Sequence, residues 1–171
     1  MLTKHNLIII MKKLIFSLAL VAACAVGAQA QDYQSAIGLR FGYPASVSYK
    51  TFISDAGAIE GFLGFRRWAT YRWFNVAGLY QHHFPINDVD GLRWYAGGGA
   101  SAFFWNFDNS FIGDNGTSTS FAVLGVLGLD YKFANAPVNL SLDWVPAFFL
   151  NGFGSGFGGG YGALSARYTL N

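Results

Sequence analysis

The sequence predicts an all-β protein, an eight-stranded antiparallel up-and-down transmembrane β-barrel. Three observations predict it. Residues 120–171 alternate between an apolar or aromatic face and a small or charged one, as barrel strands do. The chain opens on an export signal. Only 12% of its residues are charged while 18% are aromatic, where soluble domains carry about 25% charged residues.

The alternation is clearest near the end of the chain. Phe121, Val123, Leu127, Leu129, Tyr131 and Phe133 fall on one side, and Ala122, Val126, Gly128, Asp130 and Lys132 on the other. Val138, Leu140, Leu142 and Trp144 oppose Asn139, Ser141 and Asp143. Leu164, Ala166, Tyr168 and Leu170 oppose Ser165, Arg167 and Thr169.

The export signal is built from Met11-Lys12-Lys13, an apolar run over 14–23 and Ala28-Gln29-Ala30. Residues 1–30 therefore read as a signal peptide, with Met1 and Met11 both acceptable starts, and 31–171 as the barrel domain. The apolar run is too short for a spanning helix. Val21-Ala22-Ala23-Cys24 also reads as a loose lipoprotein box, and that alternative stays open. With cleavage after Ala30 the exported chain keeps no cysteine, which removes disulfides and thiol nucleophiles.

Beyond Gln31 there are eight basic and nine acidic residues, so no surplus of positive charge attracts nucleic acid. The longest uncharged stretch, 144–166, holds Pro146 and seven glycines and cannot be a membrane helix. A closed barrel is the other structure that satisfies every backbone group in lipid.

Taken in order, the strands are 35–42, 45–52, 58–66, 71–84, 92–105, 119–133, 138–145 and 158–170. Ile37, Leu39 and Phe41 face outward in the first and leave Arg40 inside. Val47 and Tyr49 leave Lys50 inside in the second. Ile59, Leu63 and Phe65 leave Glu60 and Arg66 inside in the third. The fourth and fifth are aromatic on both faces, so their sidedness stays open. The last three place Asp130, Lys132, Asp143 and Arg167 inside.

Connections support the same order. Those over 53–57, 85–91 and 134–137 are short and fall at the end that holds both termini, while the two longest, 106–118 and 146–157, fall at the other, together with two short ones at 43–44 and 67–70. A soluble lipocalin-like barrel would exchange the faces and need an outer surface rich in Lys and Glu. Residues 31–171 contain one Glu and two Lys. Aromatics near strand ends, among them Tyr33, Trp73, Trp105 and Trp144, fit interfacial girdles.

The expected lumen network is Arg40, Lys50, Glu60, Arg66, Asp130, Lys132, Asp143 and Arg167. Eight strands enclose a bore just wide enough for side chains to fill. Pairing across it offsets the desolvation of buried charge, so the network plugs the barrel.

With eight strands behind an export signal, the chain resembles the small bacterial outer-membrane barrels of the outer-membrane-protein-X and A-barrel type. The closing segment from Gly160 to Leu170 resembles their last strand, departing from it in ending on Asn171 rather than an aromatic residue. The resemblance implies a monomer in the outer membrane of a Gram-negative-type bacterium. Its partners would be outer-membrane lipids and the assembly machinery that reads the last strand.

Candidate chemistry is sparse. His82 and His83 are adjacent on a strand, so they face opposite sides and cannot share a metal. One small barrel deacylase type carries His-x-Ser, but the residues two beyond these histidines are Phe84 and Pro85. Glu60, Asp130 and Asp143 share their face with five cations, and ion pairing accounts for them without catalysis. The G-x-G-x-x-G of 154–159 has no following helix, and the sequons at Asn115 and Asn139 read as chance. No catalytic residue, metal or cofactor is expected.

Phe148, Phe149, Leu150, Phe153 and Phe157 crowd the last outward connection. They form a contact surface for an unknown surface ligand, or they lie in the membrane interface or extend the strands upward. The expected role is structural, adhesive or surface-interacting through the outward loops. The alternatives are a narrow porin-like channel or carrier of a small hydrophobic ligand, and a barrel enzyme acting on envelope lipids.

Overall fold

The structure is a computed structural model that describes residues 33–67, 71–107, 116–152 and 155–170. Residues 1–30, expected to be a signal peptide, Phe153 and the sequon asparagine Asn115 lie outside the described residues. Eight strand lines close into an antiparallel barrel, the fold class the sequence predicts, with no helix among the described residues. In chain order β1 (Ser35–Tyr43), β2 (Ala45–Phe52), β3 (Gly57–Arg67), β4 (Tyr71–Pro85), β5 (Leu92–Phe107), β6 (Thr117–Lys132) and β7 (Val138–Trp144) each pair with the next. β10 (Gly162–Leu170) closes the ring between β7 and β1. Two short strands, β8 (Ala147–Phe149) and β9 (Gly156–Gly158), prolong the lines of β7 and β10 at the end far from the termini.

Register fixes the shape. Following paired residues from Pro85 through Arg93, Asp130, Ser141, Ser165, Arg40, Ser46 and Gly64 returns to β4 at Asn75. The path comes back ten residues from its start, which is the stagger of the ring. Strand number and stagger together set strand tilt and bore, so the lumen has room for one packed layer of side chains.

Period-2 alternation decides what fills it. On β2 the outward Val47 and Tyr49 are exposed, whereas Ser46, Ser48 and Lys50 are buried. The ambiguous strands resolve in the same way. Trp73, Asn75, Ala77, Leu79, Gln81 and His83 of β4 point inward, as do Arg93, Tyr95, Ser101 and Phe103 of β5. Trp73, Trp105 and Tyr33, expected in interfacial girdles, are inside the barrel instead. An aromatic lumen rewards their burial as well as an outer girdle would, which is why composition alone could not side them.

The expected connection over 146–157 is shorter than the sequence suggests. Pro146 lacks an N–H and interrupts the ladder, but its carbonyl accepts the Gly125 N–H at 2.8 Å, so the strand line resumes as β8. On the other edge, Trp144 pairs with Gly162 and Ala147 with Gly158, three steps against four. The extra residue is a bulge within the Gly159-Gly160-Tyr161 run. β5 and β6 likewise run further than expected, to Phe107 and from Thr117.

Two glycines are required by contact. A Cβ on Gly97 would strike the Tyr80 carbonyl of the neighbouring strand. A Cβ on Gly128 would lie 2.6 Å from the Tyr95 ring, which packs flat over its register partner.

Candidate functional site

The lumen divides into two zones along its axis. From the middle of the barrel to the end holding the termini it is charged; towards the far end it is mainly aromatic, with the uncharged Asn75, Ser101 and Ser120 hydrogen-bonded among the rings.

Period-2 placement brings one polar residue or more from every strand line into the charged zone. Glu60, fully buried on β3, accepts hydrogen bonds from Arg40 Nη1 at 3.0 Å, from Gln81 Nε2 at 2.6 Å and from Arg167 Nη2. Arg40 also grips Asp143 with both terminal nitrogens, at 2.9 and 2.8 Å. The Tyr95 hydroxyl donates to the same carboxylate at 2.9 Å. Arg167 donates in addition to Ser48 Oγ at 3.0 Å and Ser141 Oγ at 2.7 Å. The chain Asp143–Arg40–Glu60–Arg167 therefore crosses the bore with both acids shared or fork-bound, the geometry in which buried charge is best satisfied.

A second cluster lies nearer the termini. Lys50 Nζ donates to Asp130 Oδ1 at 2.8 Å and sits 2.8 Å from His83 Nε2. An ammonium has only donors, so His83 accepts through Nε2. Asn139 Nδ2 donates to Asp130 Oδ2 at 2.8 Å, and the Tyr33 hydroxyl at 3.3 Å. Asn139, one of the formal sequons, is thus part of the interior. Lys50 also lies 4.8 Å from the centre of the Tyr95 ring, and His83 stacks on that ring at 4.9 Å.

Six of the eight expected network residues meet in these clusters: Arg40, Lys50, Glu60, Asp130, Asp143 and Arg167. Two do not. Lys132 sits at the rim by the termini, where its ammonium binds the carbonyls of Phe133 and Ala136 and closes the β6–β7 turn. Arg66 is at the far rim, its guanidinium 4.1 Å above the Tyr43 ring. Both share the inward parity, but parity gives a side and not a height. The sequence reading missed Tyr33, Gln81, His83, Arg93, Tyr95 and Asn139. Most lie on the two strands whose faces were ambiguous or are uncharged. Their only signal is a polar residue alternating with large apolar neighbours.

The far zone is packed by Trp73, Phe103, Trp105, Phe149 and Tyr161, with ring centres 4.9 to 6.5 Å apart, over a layer of Phe62, Leu124 and Val145. Between the zones Arg40 stacks its guanidinium on Phe62 at 4.7 Å. The void beside it is about 20 Å³, room for one water molecule.

The aromatic cluster of the last connection separates by parity. Phe149 is 6% exposed and belongs to the far zone, whereas Phe148 at 54%, Leu150 at 61% and Phe157 at 71% point outward. Phe148 and Phe157 are register partners on β8 and β9. Phe148, Phe149 and Phe157 thus lie on the upward continuation of the strand lines.

No protein-family model, no curated protein and no solved structure matches this chain. The geometry of the barrel has to carry the functional reading. His82 and His83 face opposite sides of β4, and no group of three or more potential metal-ligating His, Cys, Asp or Glu side chains occurs among the described residues.

Proposed function

We propose that this chain is an integral outer-membrane barrel of a Gram-negative-type bacterium, monomeric and closed to solute. Its role is structural, adhesive or surface-interacting through the end far from the termini. One contrast supports the reading: twenty-seven large apolar side chains are exposed on the described surface while seven charged side chains are buried in the lumen. In water that arrangement is inverted and unfavourable, because the exposed apolar area far exceeds what a monomer leaves uncovered. In a bilayer it is the favourable one. The small barrels named above for their resemblance share this plan, and outer-membrane lipids and the assembly machinery are the partners it implies.

Interaction rather than transport is favoured by the sealed bore, whose ion pairs tie together strands on opposite sides of the ring. Heat-modifiability on gels tests the membrane reading: the unboiled barrel should migrate faster than the boiled chain and need detergent to stay dispersed. A protein soluble without detergent that shows no such shift would sink it. Planar-bilayer recording tests the closed lumen, where a steady unitary conductance would replace this reading with the narrow pore.

A further inference from the structure

The outward face changes character along two register rows at the far end. In the upper row Arg67, Arg72, Asn106 and Thr117 stand directly opposite one another on β3, β4, β5 and β6. Two residues lower on the same face, Phe65, Phe74, Phe104 and Thr119 form the next row. Phe74 and Phe104 stack with ring centres 4.7 Å apart. A row of hydrogen-bonding and cationic side chains thus sits one step above a row of aromatic ones.

The arginine pair is the anomaly. Arg67 and Arg72 are both exposed, and neither has an ion-pair or hydrogen-bond partner among the described residues. Like charges directly opposite each other weaken a strand pair unless an anion lies between them. The other described cations are employed elsewhere: Arg40, Lys50, Arg93 and Arg167 in the lumen, Lys132 at its turn, and Arg66 on Tyr43. Beside Arg72 is a surface recess of about 540 Å³, whose lining includes Asn106 and Thr117 above and Phe65, Phe74 and Phe104 below; Arg67 is the register partner of Arg72 but stands outside that lining. The recess has the volume of a small-molecule site and is far larger than a bare phosphate needs.

We infer that these two rows are a seat for a phosphorylated lipid headgroup of the surrounding leaflet. The phosphate lies between the Arg67 and Arg72 guanidiniums, whose planar forks match phosphate oxygens. Asn106 and Thr117 take the neighbouring hydroxyl or ester oxygens, and the acyl chains descend over Phe65, Phe74 and Phe104. The lipid, rather than a free anion, is the occupant because the cationic row stands at the upper edge of the apolar belt, where headgroups lie. This inference rests on the membrane reading above.

The test uses the full barrel in phosphatidylcholine nanodiscs doped with phosphatidic acid, the lipid retained after gentle extraction being counted by mass spectrometry. The unaltered protein should enrich phosphatidic acid over its bulk share on the order of tenfold, as two surface arginines allow. Arg67→Gln with Arg72→Gln should return retention to the bulk ratio while leaving heat-modifiability intact. Arg67→Lys with Arg72→Lys should keep part of the enrichment, and Lys132→Gln at the opposite rim all of it. Enrichment unchanged in the glutamine variant, or absent in the unaltered protein, overturns the inference. Loss of enrichment on adding inorganic phosphate overturns the commitment to lipid. A barrel that never enters the nanodisc fails at the membrane reading instead, and the two failures are told apart by the gel shift.

Discussion

The two halves of the lumen fill the same bore by opposite means. Towards the termini, Glu60 and Asp130 are each surrounded by three donors, and every charge depends on a partner from another strand. Towards the far end, Trp73, Phe103 and Phe149 fill space by ring packing, which tolerates a lost neighbour better than a lost counter-charge. The charged half is directional and brittle, and the aromatic half is non-directional and forgiving. Near the termini the ion pairs join strands that are not neighbours in the ring, Lys50 on β2 to Asp130 on β6 and Arg40 on β1 to Glu60 on β3.

The sharpest break of this contrast is Glu60→Gln. It leaves Arg40 and Arg167 sharing one carboxylate fewer inside the bore, and should cost about 3–5 kcal/mol in urea unfolding of the detergent-solubilised barrel. Gly128→Ala comes next, because its Cβ pushes the Tyr95 ring and, through the Tyr95 hydroxyl, the Asp143–Arg40 pair. About 1–3 kcal/mol is expected from such overpacking, with Tyr95→Leu in the same background recovering part of it. Phe103→Leu in the aromatic half should cost less than about 1.5 kcal/mol, since a similar volume repacks against Trp73 and Phe149. If it proves as costly as Glu60→Gln, the halves do not differ as argued. Phe157→Ala, on the outward face of β9, should change the free energy of unfolding by no more than about 0.5 kcal/mol.

Much of this was legible in the sequence, for a physical reason. Where one face is apolar and the other charged, as around Asp130, Asp143 and Arg167, period-2 alternation leaves a single way to side the strand. Six of the charged lumen residues follow from that alone, and turn residues between the alternating runs mark out the eight strand lines. Legibility failed where the lumen itself is apolar: on β4 and β5 both faces carry aromatics, so hydrophobicity cannot separate Trp73 inside from Phe74 outside. It failed again on height, because Lys132 and Arg66 have the parity of the network yet sit at opposite rims. At Phe148 and Phe149 the proline and glycines read as loop, although the same alternation continues through Pro146 and separates the two rings correctly.

The ten-residue stagger of the eight-stranded ring has one more consequence. Circumference in such a ring is counted in whole strands and whole register steps, so it cannot be enlarged by degrees. Trimming Arg40 or Glu60 leaves an unbalanced gap inside the same wall. A wider bore requires a further hairpin or a larger stagger, and each comes only in whole steps. Substitutions can therefore diversify this chain at its two rims and on its outer skin, while its girth stays fixed by integers.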